Sequence, residues 1–167
     1  SGASTGSAEA LELRDGDASQ YRGLGVTKAV ANVNGEVAAA IEGMDAMDQK
    51  GLDQRLVELD GTAQLKRIGA NGILGVSMAT SRASASASRM PLYARIAEMC
   101  GNTAVQLPLP MVNILSGGLH AGRGMDVQDF LAIPARAGDM AEAIHLMSRV
   151  RSAAADVAAE RGLPTLL

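Results

Sequence analysis

Two prolines set close together, in Val105-Gln106-Leu107-Pro108-Leu109-Pro110, divide this chain into parts that follow different periodicities. Proline has no N–H to donate and fixes its own φ, so neither a helix nor a central strand runs through such a stretch. The segment before it repeats apolar residues at helical spacing. The one after it opens with a short apolar run, Met111-Val112-Asn113-Ile114-Leu115, bounded by proline on one side and glycines on the other. That pattern reads as a buried strand.

In the first part Val26, Val30, Val33, Val37 and Ile41 recur at steps of three or four, which places one apolar stripe on a helix of about four turns ending near Gly43. A second helix is expected from about Asp48 to Glu58, with Asp48 as N-cap and Leu52, Leu56 and Leu59 on one side. Asp60-Gly61-Thr62 follows as a turn. Residues 70–88 form a third helical stretch carrying Ile73, Leu74 and Met78 among many alanines and serines. Its low-complexity portion also suits a flexible linker, but no proline or glycine interrupts residues 76–90, which favours helix. Residues 92–99 make a short fourth helix.

In the second part Phe130-Leu131-Ala132-Ile133 before Pro134 reads as another strand. Met140, Ala143, Ile144, Met147, Val150, Ala154 and Val157 mark a long amphipathic helix, and residues 163–167 begin a possible further strand. A few short strands with one long helix cannot close a sheet, since an eight-stranded α/β barrel takes about 250 residues. Two expectations therefore stand side by side, an internal piece of a larger protein and a reduced relative of one.

The 167 residues suffice for a core, and 47% hydrophobic residues with net charge −3 describe a globular chain rather than a disordered one. With three aromatic residues, Tyr21, Tyr93 and Phe130, and nine methionines, that core must be aliphatic. Residues 1–60 hold 11 acidic and 5 basic side chains, and residues 61–167 hold 7 and 10, so the later part is mildly electropositive. This suits either an anionic substrate or an ordinary solvated surface. No run of like charges points to nucleic acid. No signal-peptide pattern or membrane-length apolar run occurs, and the lone Cys100 excludes an internal disulfide and fits a reducing cytosol. Following Ile96, Ala97 and Met99, it reads as a thiol packed at a helix end.

Two glycine-rich polar segments stand apart from this framework: SGASTG at residues 1–6 and SGGLHAGRG at residues 116–124, the latter followed by Gln128 and Asp129. Glycines permit positive φ and close approach of the main chain to a bound group, while a serine, a histidine and a carboxylate are hardly needed to fill a core. Read alone, residues 1–6 are either a binding loop or a fraying terminus, and His120 is either a ligand-binding or a structural histidine. His145, in mid-helix, reads as a surface residue.

Taken in order, SGASTG, EALELRDGD (9–17), LDGT (59–62) with GANGILGVS (69–77), PLY (91–93) and LPLPMVNILSGGLHAGRGMDVQDFLAIP (107–134) resemble enolase over nearly the whole chain. The resemblance implies an incomplete α/β fold: an α+β N-terminal domain, residues 1–106, followed by the first elements of a TIM-like barrel, residues 107–167. It implies reversible dehydration of 2-phosphoglycerate to phosphoenolpyruvate in glycolysis, in a cytoplasmic, Mg²⁺-dependent homodimer that binds neither membrane nor nucleic acid. Ser4 matches the lid serine that joins the second Mg²⁺, with Ala3 supplying backbone, and a hydroxyl and a carbonyl are hard oxygen donors suited to that ion. His120 matches the histidine near the phosphorylated substrate. Gln128 matches a substrate-contacting glutamine, and Asp129 stands where the family carries a catalytic glutamate.

That last match departs from the pattern, because aspartate draws the carboxylate back by about 1.5 Å. Leu119 and Arg123 also differ from the family's wording. By the same resemblance the main Mg²⁺ ligands, the lysine base and a further acidic residue lie beyond Leu167, so the chain is expected to hold only part of an active site and to be inactive alone. The alternative reading is a non-catalytic enolase-like protein retained for binding or structure.

Overall fold

The computed structural model describes residues 6, 8–102, 104–118 and 125–163. The chain divides into two compact units, Ser1–Val105 and Gln106–Leu167.

In the described residues of the first unit all regular structure is helical. The first helix has three consecutive stretches, α1 (Thr27–Asn32), a π-helical segment (Val33–Val37) and α2 (Ala38–Ile41). Asp15 caps its start, accepting the backbone N–H groups of Thr27 and Lys28 at 2.9 Å each. Those bonds, that of Lys28 foremost, hold the Asp15 carboxyl below its usual range. The expected valine stripe is split. Val37 is fully buried, whereas Val30 is 51% exposed and lines an apolar groove with Val26, Val33, Gly75 and Val76. A π turn carries more residues per turn than an α turn, so it shifts the phase of everything after it.

Helix α3 (Gln49–Asp60) begins at Asp48, whose side chain accepts the Gly51 N–H at 2.9 Å, and ends at Gly61, where φ of +67° closes the helix in the left-handed conformation. Helix α4 (Ala70–Ala87) settles the alanine-serine stretch as helix, and α5 (Leu92–Met99) follows. The core gathers Val37, Leu52, Leu56, Ile68 and Ile73. Each such aliphatic side chain gains roughly 1.5–3 kcal/mol on burial. Arg95 is buried where α5 meets α4, donating to the Met47 carbonyl at 2.8 Å, Ser84 Oγ at 3.3 Å and Glu98 Oε2 at 2.6 Å. Cys100 caps the end of α5 but is exposed, so the packed thiol expected from its apolar neighbours is corrected. Those neighbours, Ile96 and Met99, are themselves substantially exposed.

In the second unit β1 (Val112–Ser116) pairs antiparallel with β2 (Asp129–Ala132), and α6 (Met140–Glu160) lies against β1. Asp139 caps α6 by accepting the Glu142 N–H at 2.8 Å, while Glu142 Oε2 accepts from Gly138 N at 2.7 Å. Both strands lie one residue from their expected starts, and β1 is less buried than its apolar sequence suggests, only Ile114 being buried within it. His145 is exposed on α6. The further strand expected at 163–167 falls, beyond Leu163, outside the described residues.

Candidate active site

The strand pair is where the chemistry-bearing residues of the second unit meet. Beyond Ser116 the pairing continues for two residues: the Gly117 N–H donates to the Gln128 carbonyl at 2.6 Å and the Gly118 N–H to the Met125 carbonyl at 2.8 Å. Gly117 is obligatory, since a Cβ there would overlap the Val127 carbonyl oxygen. The two strands are thus held together up to Gly118 and Met125.

Gln128 and Asp129 are both exposed at the start of β2. Asp129 faces Ser116 across the ladder, and its Oδ1 accepts Asn113 Nδ2 at 2.8 Å. The same Asn113 nitrogen donates to Ser116 Oγ at 2.6 Å. A carboxylate has only acceptors to offer, so the amide nitrogen must be the atom turned toward it. Asn113 and Ser116 were not singled out from the sequence. Their one signal is a polar residue inside an otherwise apolar run and a serine at its end.

Of the residues expected at the site, the described strand pair brings Gln128 and Asp129 together at one strand end. Ser4, Ala3 and His120 lie outside the described residues. Among the described residues no group of three or more His, Cys, Asp and Glu side chains is arranged to hold a metal ion. Mg²⁺ requires near-octahedral oxygen coordination, so the described residues do not by themselves fit the ion, and no chemical step is derived through it. No helix among them is long and apolar enough to cross a membrane.

A helical unit followed by a glycine-punctuated antiparallel strand pair and a long helix defines a mixed α/β protein with its polar residues collected at a strand end. A family model described as "Enolase, N-terminal domain" matches residues 1–96, and one described as "Enolase, C-terminal TIM barrel domain" matches residues 104–164. The chain belongs to the enolase family. Membership assigns it to a family of lyases and gives it an enolase-type function in general terms. The 61 residues of the second match are a fraction of the roughly 250 that a complete barrel takes.

Proposed function

We propose that this chain contributes part of the active site of an enzyme that reversibly dehydrates 2-phosphoglycerate to phosphoenolpyruvate. The observation that carries this reading is the pair of enolase domain matches in their proper order along one chain. The division into an N-terminal domain, residues 1–106, and the start of the barrel domain, residues 107–167, belongs to the same proposal. So do Mg²⁺ as cofactor, a homodimeric assembly and a cytoplasmic location.

In this reading Gln128 hydrogen-bonds the substrate, His120 donates to its phosphate-bearing side, and Asp129 is the catalytic carboxylate that meets the substrate beside them. Ser4 and the Ala3 carbonyl would give oxygen donors to a metal ion, and such an ion would supply positive charge near the substrate. Loss of one methylene at position 129 sets the carboxylate back, which lowers the rate unless the substrate sits closer to the strand. The alternative, a non-catalytic enolase-like binding or structural protein, draws its support from that same aspartate.

The test is a titration of the isotope-labelled chain with 2-phosphoglycerate and Mg²⁺, followed at the backbone amides of Gln128 and Asp129, beside an assay for phosphoenolpyruvate. Shifts at both residues without turnover are expected. Silence at both overturns the substrate reading, and turnover by the 167 residues alone overturns the partial-site reading.

A further inference from the structure

The ladder between β1 and β2 changes register within its length. Val112 pairs with Ala132 and Asn113 with Leu131, but the next pairs are Leu115 with Phe130 and Ser116 with Asp129, so Ile114 is an extra residue in β1. In a regular strand residues three apart point to opposite faces. One inserted residue reverses that parity, which puts Asn113 and Ser116 on the same face. Their hydrogen bond at 2.6 Å could not form otherwise.

Ser116 lies directly opposite Asp129, and cross-strand partners share a face, so the carboxylate enters the same patch. The side-chain amide of Asn113 has two protons. One goes to Ser116 Oγ and the other to Asp129 Oδ1 at 2.8 Å. Without a partner, an exposed aspartate at a strand end exchanges among staggered rotamers. A donor held from two sides selects one of them.

We propose that Asn113 is a positioning residue for Asp129: its amide, oriented by Ser116 and brought into range by the bulge at Ile114, fixes the direction of the carboxylate. The functional consequence rests on the reading of Asp129 as the group that acts on substrate. The geometric claim does not.

The χ1 rotamer of Asp129 is read from three-bond couplings in the labelled chain, together with the Asn113 side-chain amide signals. The parent chain should show a single Asp129 rotamer, Asn113→Ala an average over rotamers, and Ser116→Ala a reduced preference. Asp129→Ala should move the Asn113 amide signals toward those of a free asparagine. An Asp129 rotamer unchanged in Asn113→Ala, with the cross-strand contacts of β1 and β2 intact, overturns the proposal. Should Asn113→Ala lose the strand pairing, the Asp129→Ala arm decides, because it alters only an exposed side chain, and an indifferent Asn113 amide there is equally fatal. If 2-phosphoglycerate leaves the Asp129 signals of the parent chain unmoved, the substrate reading fails while the couplings still decide the positioning contact.

Discussion

The backbone N–H of Ile68 donates to Asp60 Oδ2 at 2.7 Å inside the core of the helical unit, tying the segment after α3 back to the last residue of that helix. Asp60 is 2% exposed, and its other oxygen accepts both the N–H of Thr62, at 3.0 Å, and the Thr62 hydroxyl. The carboxylate thus organises the turn that leads into α4.

Replacing Asp60 by alanine leaves the Ile68 and Thr62 donors without their acceptor. Each buried unsatisfied donor costs about 1–3 kcal/mol, so Asp60→Ala is expected to destabilise the unit by roughly 2–4 kcal/mol. Hydrogen exchange at the Ile68 amide checks this. Protection there should fall more steeply than in α5.

Burial works against the ionised form of Asp60, but bonds from the Thr62 hydroxyl and from the N–H groups of Ile68, Thr62 and Arg67 outweigh it and hold its pKa below the ordinary 3.8. The folded state therefore binds fewer protons than the unfolded one in this range. The contribution to stability is full above pH 3.8 and is lost as pH falls through the depressed value. Urea titrations of the parent chain at pH 6 and at pH 3 should differ by more than those of Asp60→Ala.

Arg95 makes a second test of buried polarity. Its planar fork reaches three acceptors at once, a geometry that an ammonium cannot copy, so Arg95→Lys should cost roughly 1–3 kcal/mol. Glu98, whose side chain is 57% exposed, is the dispensable partner. Glu98→Ala should cost under about 1 kcal/mol in the same denaturation experiment.

At the start of α6, Asp139→Ala removes the acceptor of the Glu142 N–H and should cost about 1 kcal/mol. Exchange at the Glu142 amide should quicken, while exchange near Met147, in the middle of the helix, should hardly respond.

For the site, the informative change is Asp129→Glu in a protein that joins this sequence to the remaining barrel strands. If the shorter side chain sets the carboxylate about 1 Å from its productive position, the longer one should raise kcat on the order of a hundredfold. Strong turnover already present with Asp129 would argue against the non-catalytic alternative. No activity with either residue would favour it.

What could be read from the sequence follows from where the physics is local. The N-cap at Asp48, the turn at Gly61 and the extent of α6 all lie within a few residues of the structure they specify, whereas the expected stripe of α6 is corrected: Ala143 and Met147 are buried, but Ile144, Val150 and Val157 are exposed. The π segment and the bulge at Ile114 are shifts of register that no local pattern announces; just before the first, Asn32 Nδ2 bonds the Ile68 carbonyl at 3.1 Å, 36 residues away. For this reason the valine stripe was legible but its split was not. Likewise Gln128 and Asp129 stand out beside a glycine-rich segment, whereas Asn113 acquires its meaning only once β2 is laid against it.

The π segment also works as slack in the helix. A π turn takes about one residue more than an α turn to come round, so α1 and α2 keep nearly the phase of a plain α-helix one residue shorter. Removing one residue between Val33 and Val37 should therefore close the stretch as ordinary α-helix and leave Val37 directed close to where it now packs with Leu56 and Ile68. In this stretch the loss of a single residue is the change of length most easily absorbed, and comparisons between relatives should not weigh a single gap there more heavily than substitutions.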